Sequence, residues 1–456
     1  MKRRLLLFLL TGLMLVCAYW APEPEPPAMG VVHQHLVSPA DQKGLTGFRP
    51  DGSLVSHLPI LILHTDGRII PGRSREDAAE LSCRYSIIDG PEGLNRSSGL
   101  PDLEGSSLVA VRGNSSRDYP KAQYIFKTVD STGSPQDVPL LGMPAESVWV
   151  LSGSYIDHSQ LRNYMLYNLS GEIMAYAPRC RLCEVFTTDL RGRPVYQGTY
   201  SLIEKIKVAD VRLPLEDVRP GYREVPFLAQ MNSIIDNTRL THLKPDGMFL
   251  YSFDLLYPEP EVLTQESADY LQRELLIFEK AMNDAVYTGD WEAFNSMLDM
   301  DTFIDYYLIN EFFLNLDAGT RSTYLSRDLG GRYRIGPVWD FDGAMDNYQD
   351  TAVPVNALHV KNSFYFWALF HDPLFVEQVQ QRYLQLRQGV LSEEALLTFL
   401  HESSAYLEGP ALRNCRRWYD DDGAMFFEDV ADMEEFIRRR GRWMDENFRK
   451  ACITIK

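Results

Sequence analysis

Most of the short motifs that identify a common enzyme class are missing from this sequence. There is no G-x-x-x-x-G-K-[ST], no G-x-G-x-x-G, no G-x-S-x-G and no H-E-x-x-H. Phosphate-loop ATPases, dinucleotide-binding enzymes, α/β-hydrolases and zinc proteases therefore lose their sequence support. The nine histidines are scattered singly along the chain. Any chemistry must then come from carboxylates, lysines and arginines.

Positive charge and cysteine are also scarce. The net charge of -18 over 456 residues argues against nucleic acid as a partner, because phosphate backbones are bound by basic surfaces. One of the six cysteines lies in the N-terminal apolar run, which leaves an odd number and implies no disulfide framework. Cys180 and Cys183 form a lone C-x-x-C with no second pair to complete a zinc site. We expect either a local disulfide or two part-buried thiols there.

The N-terminus differs in composition from the rest of the chain. Three basic residues, Lys2 to Arg4, precede the apolar run LLLFLLTGLMLVCAYW. This pattern predicts that residues 1–21 are a signal peptide or an uncleaved membrane anchor, and hence that the protein is exported. Residues 22–55 include APEPEPPAMG and are predicted to be a Pro-rich spacer and linker. A membrane tether through the apolar segment is one of the two alternatives.

Strand patterns dominate residues 56–260. LPILILHTDGRII contains two apolar runs separated by Asp66-Gly67, which predicts a hairpin. A second hairpin is predicted around the Gly113–Ser116 turn and a third around Arg191-Gly192. Asp157 stands at an N-cap position before the helical pattern HSQLRNYMLYNL.

Helical periodicity takes over in residues 261–456. LQRELLIFEKAM places Leu271, Leu275, Phe278 and Met282 on one face, and similar patterns continue to the C-terminus. A predicted hairpin with its turn at Gly330-Gly331 interrupts them. The sequence therefore predicts an α+β protein with a β-rich N-terminal lobe and a mainly helical C-terminal lobe.

Two aspartates in the stretch VWDFDGAMD are candidate metal ligands. At a strand end, residues two apart point to the same face, so Asp340 and Asp342 can converge on one hard cation. Gly343 then allows the backbone to turn away. The alternative is that these aspartates form a turn and cap the next helix. Asp346 is assigned to the following turn.

A third carboxylate precedes this pair. Asp317 follows a long apolar helix pattern and lies in a short loop before the hairpin that leads to Asp340. This order is used in phosphoryl transfer, where one aspartate orients or deprotonates the acceptor hydroxyl and another holds the metal on the phosphates. Asp317 could equally be an ordinary residue at the end of a helix.

Cations cluster around the second predicted hairpin. VRGNSSRDYPKAQYIFK offers backbone amides and hydroxyls at Asn114 and Ser115, flanked by Arg112, Lys121 and Lys127. Such a turn can cradle and neutralise a polyphosphate. The alternative is a solvated hairpin with basic edges that discourage aggregation. In chain order, the cationic hairpin, the loop aspartate and the metal aspartates fit a two-lobed kinase.

These segments resemble a known family. The blocks RGNSSRDYPKAQYIFK, SYIDHSQLRNYMLYNL, YQGTYSLIEKIKV, NLD with the following TYL, and GPVWDFDGAMDN are similar, in order, to those of the CotH family of spore-coat protein kinases. The resemblance extends from about residue 58 to the C-terminal helices. It implies an atypical protein-kinase-like fold that uses ATP and a divalent metal, Mg²⁺ or Mn²⁺.

The resemblance also implies roles for individual residues. Lys121 or Lys127 would be the lysine that contacts the phosphates, and Glu204 would have a nucleotide-binding or structural role. Asp317 matches the catalytic-loop aspartate, and Asp340 and Asp342 match the metal-binding D-x-D. Residues 56–260 would then be the nucleotide-binding lobe and residues 261–456 the catalytic lobe.

The sequence departs from the family pattern in two places. Ala122 replaces the second lysine of its block. Thr320, Ser322 and Thr323 occupy the region where the family often has an asparagine after its loop aspartate. Hydroxyls are poorer metal ligands than amides. This second departure therefore leaves a second metal ion with weaker ligands than the family pattern provides.

The leading hypothesis is a secreted or envelope-associated kinase that transfers the γ-phosphate of ATP to Ser or Thr. Its substrate would be a Ser-rich secreted or coat protein, and it would act in the cell envelope, the spore coat or the extracellular space. One rival is a non-catalytic kinase-like protein that binds surface partners. A second rival is a glycoside hydrolase that uses Asp317 and Asp342 as its carboxylate pair.

Overall fold

The computed structural model describes residues 45–74, 79–90, 93–219, 221–233, 239–241, 251–259, 261–348 and 354–453. The predicted signal peptide or anchor, and most of the predicted spacer, lie outside these ranges. Within them, no helix is both long enough and apolar enough to cross a membrane.

Seven strands in the first half of the chain close into a barrel. In the described part of this half the strands, in chain order, are β1 Gly47–Phe48, β2 Leu54–Ser56, β3 Ile60–His64, β4 Leu81–Ile88, β5 Asn95–Arg96, β6 Leu103–Arg112, β7 Gln123–Val129, β8 Val148–Ser152, β9 Cys180–Thr188 and β10 Pro194–Glu204. Of these, β1, β2 and β5 form a separate three-stranded sheet. The barrel order is β10-β8-β7-β6-β4-β3-β9, closed by the pairing of β9 with β10. Side chains such as Phe126, Trp149 and Tyr200 fill its interior.

A second sheet joins segments that are distant in sequence. It contains β11 Phe227–Ser233, β12 Arg239–Thr241, β13 Tyr251–Tyr257, β14 Thr323–Arg327 and β15 Arg334–Ile335, in the order β12-β13-β11-β14-β15. Because β11 pairs with β14, this sheet connects chain on both sides of residue 261. It also fixes the strand that follows the Asp317 loop.

The helices lie mainly in the second half. They are α1 Arg162–Ile173, α2 Gln265–Thr288, α3 Glu292–Ser296, α4 Met300–Phe312, α5 Phe364–Leu369, α6 Pro373–Arg387, α7 Glu393–Trp418 and α8 Ala424–Ile453. The predicted apolar face of α2 is buried, as are most residues of α4. Asp372 caps α6 by accepting a hydrogen bond from the backbone of Leu374, and proline occupies the first turn.

The α+β class is confirmed, and three of the four predicted hairpins form. The hairpins β6–β7, β9–β10 and β14–β15 have the predicted turns. The prediction of a hairpin at Asp66-Gly67 is wrong, because the described residues 65–74 that follow β3 contain no strand. The Gly67 N–H instead donates to the carbonyl of Thr188 at the end of β9. A local turn signal was thus overridden by a contact with a distant strand.

The start of α1 is also later than predicted. The helix begins at Arg162, and Leu161 occupies the N-cap position without a side-chain cap. Asp157 still caps the N-terminal end of α1, because its carboxylate accepts a hydrogen bond from the backbone N–H of Arg162 at 3.0 Å. A tight turn over residues 157–160 therefore separates the capping side chain from the first helical residue.

Cys180 and Cys183 lie on β9 as two free, buried thiols, so no local disulfide forms. Burial raises the pKa of Cys180 to about 12. A thiol with so high a pKa is mostly protonated at neutral pH, which makes it a poor nucleophile and metal ligand.

One outer face of the barrel packs against the helical half. On β7, Phe126 points into the barrel, so its neighbours Ile125 and Lys127 point outward. Ile125, with Val150 on β8 and Ile203 on β10, packs against the core of the helical half. The candidate site lies along this junction.

Candidate functional site

The D-x-D segment is held by α1. The backbone N–H of Phe341 donates to Asn163 Oδ1 at 2.9 Å, and Asn163 Nδ2 donates to the carboxylate of Asp342. The backbone N–H of Asp340 donates to the Tyr167 hydroxyl at 3.1 Å. Asp340 has a φ of 65°, in the left-handed region that residues with a side chain rarely adopt. Two α1 side chains therefore fix a strained turn.

The two carboxylates of this segment affect each other. Burial, together with the charges of Asp340 and Asp157, raises the pKa of Asp342 to about 8, against the opposing effects of Asn163 and Arg112. Asp342 is buried, whereas the side chain of Asp340 is partly open to solvent. Closely placed carboxylates with weak compensation repel each other, and a bound cation would relieve that repulsion.

Arg112 is the barrel residue whose charge acts on Asp340 and Asp342. It ends β6, where its side chain donates to Gln123 Oε1 at 3.1 Å and lies over the ring of Trp339, 5.9 Å from the ring centre. Its charge lowers the pKa of both Asp340 and Asp342. The basic end of β6 and the D-x-D segment therefore face the same space.

Asp317 belongs to the same group of carboxylates. Burial raises the pKa of Asp340, the charge of Asp317 raises it further, and Arg112 and the hydroxyl of Ser322 lower it. The Asp317 side chain is 27% exposed, and its Oδ1 lies 3.8 Å from Arg321 Nη1. The same oxygen accepts a hydrogen bond from the hydroxyl of Tyr348 at 2.7 Å. Asp317 thus lies near the D-x-D pair and remains accessible.

The turn after β6 is organised by arginines. Ser115 opens a short 3₁₀ helix, Ser115–Asp118, with Asn114 at its N-cap. Arg117 Nε donates to the carbonyl of Gly113 at 2.7 Å, and Arg73 Nη1 donates to the carbonyls of Arg117 and Tyr119. Gly113 has a φ of 115°, which favours glycine.

The two candidate lysines have different surroundings. Lys121 is fully buried, and its Nζ donates to Gln160 Oε1 at 3.0 Å, the Thr199 carbonyl at 2.5 Å and Asn414 Oδ1 at 2.8 Å. These three bonds use every N–H of an ammonium group. Burial lowers the pKa of Lys121 to about 7. Lys121 therefore ties the barrel to α7.

Lys127 is accessible and belongs to a cluster of cations. It forms a 2.7 Å ion pair with Glu80, and its side chain is 38% exposed. Desolvation lowers the pKa of Lys205, and the charges of Lys127, Arg112 and Lys207 lower it further. Lys205 follows β10 directly and reaches solvent. The sequence pattern does not single out Lys205, because Glu204 is the residue that its block has in common with the family pattern.

Glu204 is fully buried in an ion network. Its carboxylate accepts from Arg179 at 3.0 Å and from Arg212 at 2.9 Å. Arg212 also lies 3.5 Å from Glu146, which forms a 2.7 Å pair with Lys207. Of the two roles considered for Glu204, nucleotide binding and a structural role, these contacts fit the structural role.

A buried arginine braces the start of α1. Arg162 forms 2.7 Å ion pairs with Asp157 and with Asp429 of α8, and its Nε donates to the carbonyl of Ala344 at 3.0 Å. The network connects α1, α8 and the chain just after the D-x-D segment. No sequence motif marks the complete network, because Asp429 lies 267 positions from Arg162 in the chain.

Comparison with known proteins agrees with this arrangement. The profile of the family described as CotH kinase protein matches residues 109–444, which include β6, the Asp317 loop and the D-x-D segment. The chain belongs to the CotH kinase family. No protein with a curated description matches it. Membership in the CotH kinase family confirms the resemblance found in the sequence and supports a kinase-related function.

The chemistry of the site suits a hard cation. Asp340 and Asp342 offer carboxylate oxygens, the ligand type that magnesium and manganese prefer. In the portion of the chain described by the structure, no group of three or more His, Cys, Asp or Glu side chains is arranged to hold a metal. Magnesium is commonly bound through one or two carboxylates together with substrate phosphates. The individual roles within this CotH-family site stay predictions.

Proposed function

We propose that this CotH-family protein is a metal-dependent protein kinase that transfers the γ-phosphate of ATP to Ser or Thr hydroxyls. One observation carries the proposal: Arg112 from the barrel acts electrostatically on both carboxylates of the D-x-D pair, and Asp317 from the loop after α4 acts on Asp340. An arginine beside two neighbouring carboxylates, together with an accessible third carboxylate, is a set of groups suited to phosphoryl transfer.

In this proposal the outer face of the barrel supports the nucleotide. Arg112, Lys127 and Lys205 neutralise the phosphates, while Ile125 and Val150 pack this face against the core of the helical half. Lys121 keeps its three hydrogen bonds and positions the barrel against α7 rather than contacting phosphate. The barrel and the helical half would then act as the two lobes of a kinase-like fold.

Asp340 and Asp342 would hold Mg²⁺ or Mn²⁺. When bound, the ion would neutralise charge on the transferred phosphate. Asn163 keeps Asp342 in place, and the charge of Arg112 partly balances the two carboxylates. Asp317 orients the acceptor hydroxyl and accepts its proton.

The acceptor and the location belong to the same proposal. We infer a Ser-rich secreted or coat protein as the substrate, reached after export through the N-terminal apolar segment. The chain's strongly acidic balance supports a protein partner over nucleic acid.

The test is transfer from labelled ATP, with manganese, to a Ser-rich protein. We expect label on the acceptor, and a loss of at least about a hundredfold in Asp317→Asn or Asp340→Asn because each removes an interaction with the reacting groups. Asp346→Asn, outside the proposed ligand pair, is the matched control and should keep its activity. Undiminished transfer by both site variants would contradict the proposal. Sugar release without nucleotide would favour a glycosidase.

A further inference from the structure

Tyr348 makes an unusual contact with the proposed catalytic aspartate. Its hydroxyl donates to Asp317 Oδ1 at 2.7 Å. The aspartate is 27% exposed, so the bond lies at an accessible surface where water could satisfy the carboxylate instead. A phenol that reaches such a group occupies space that an incoming molecule would need.

Gly343 allows the tyrosine to lie there. A Cβ atom added to Gly343 would come within 2.7 Å and 2.8 Å of two carbons of the Tyr348 ring. Such distances are essentially never seen, so any side chain at 343 would push the ring away. The glycine that follows the D-x-D pair therefore makes room for the ring whose hydroxyl binds Asp317.

The hydrogen bond from Tyr348 to Asp317 has the geometry that the hydroxyl of a phosphate acceptor needs. In phosphoryl transfer, the acceptor hydroxyl donates its proton toward the loop aspartate from a distance of about 2.6–3.2 Å. The Tyr348 hydroxyl already makes this contact. Its bond to a charged group is also stronger than one between neutral groups.

We propose that Tyr348 occupies the acceptor position on Asp317 and that a substrate hydroxyl must displace it. This inference rests on the proposed kinase function and adds a statement about substrate class. A small alcohol or short peptide has little binding energy elsewhere with which to displace the phenol. A protein substrate that also binds outside the acceptor position does, so Tyr348 selects protein acceptors over free hydroxyl compounds.

The test compares the wild-type full chain with Tyr348→Phe, which removes only the hydroxyl. The acceptors are a short serine peptide and a Ser-rich protein, with manganese and ATP. We expect the KM for the short peptide to fall about tenfold in Tyr348→Phe, with kcat unchanged or raised, since a bond to a charged group is lost from the resting site. The KM for ATP should stay the same.

Tyr383→Phe is the matched control, because Tyr383 also donates to an aspartate, Asp445, at 2.6 Å but joins α6 to α8. It should leave the peptide KM unchanged. A fall in kcat with an unchanged peptide KM in Tyr348→Phe would overturn the proposal and make Tyr348 a positioning residue for Asp317. An unchanged KM and kcat would overturn it as well.

Failure of the underlying function gives a different result. If the wild type and Tyr348→Phe both fail to transfer phosphate to either acceptor and show no thermal shift with manganese and ATP, the kinase proposal itself is wrong. If transfer occurs but Tyr348→Phe does not change the peptide KM, only the displacement proposal is wrong. Melting temperatures of both variants identify any loss caused by unfolding.

Discussion

Asn163 uses both ends of its amide on the D-x-D segment: it accepts from the backbone of Phe341 at 2.9 Å and donates to the carboxylate of Asp342. One buried side chain of α1 therefore sets both the path of the backbone and the orientation of a proposed metal ligand. Such a residue acts through its neighbours, as outer-shell groups do at metal sites.

Replacing Asn163 with alanine should weaken metal-dependent ATP binding by roughly ten- to a hundredfold, because Asp342 loses its anchor. The measurement is the shift in melting temperature with manganese and ATP. Asn168→Ala is the control, since Asn168 is buried in the same helix but donates to the carbonyl of Tyr164 at 2.6 Å. Equal binding by the two variants would argue against the anchoring role.

Removal of Arg162 should destabilise the protein by about 3–5 kcal/mol, because Arg162→Met leaves Asp157 and Asp429 as uncompensated buried charges. Urea unfolding measures the loss. Arg193→Met breaks a 2.7 Å pair with Asp189 in which the arginine side chain is 69% exposed, and should cost about 1 kcal/mol or less. Similar losses in both variants would contradict the bracing role of Arg162.

The raised pKa of Asp342 makes stability depend on pH. The folded protein, with a pKa of about 8, binds more protons than the unfolded chain, with an ordinary value of 3.8. The free energy of unfolding should therefore fall as pH rises from about 4 to about 8. Asp342→Asn lacks this contribution, so its decline in metal-free buffer should be shallower. Parallel pH profiles for the two proteins would contradict the assignment.

Lys121 should change the free energy of unfolding in the opposite direction, over a higher pH range. Burial lowers its pKa from 10.5 to about 7, so between these values the unfolded chain binds more protons than the folded protein. The free energy of unfolding of the wild type should rise through this window relative to Lys121→Met. Urea unfolding at pH 7 and pH 10 measures the difference. A difference that does not change with pH would mean that Lys121 stays charged in the fold.

Local patterns predicted the parts of the site but not their partners. The apolar face of α2, the turns of three hairpins and the order of Asp317 before the D-x-D pair could all be inferred from sequence, because each depends on neighbouring residues. Asn163 could not be linked to Asp342, which is 179 positions away, because no local property of either residue encodes the contact.

The two lysines illustrate the same limit. Lys121 and Lys127 lie in one block and looked equivalent in sequence. The packing of the barrel against α7 and the turn before α1 buries the first among Gln160, Thr199 and Asn414, and leaves the second partly exposed beside Glu80. Burial depends on which distant strands and helices surround a residue, and this is decided only when the chain has folded.

The sequence by itself determined the α+β class, the membership of the CotH kinase family and the residue types available for chemistry. The tertiary structure decided which charges face one another, that Tyr348 reaches Asp317, and that Asp66-Gly67 ends against β9 rather than in a hairpin. The physical reason is the separation along the chain over which each kind of interaction acts. Periodicity and turn chemistry act over a few residues, whereas desolvation, ion pairing and close packing depend on contacts between segments that are far apart in the chain.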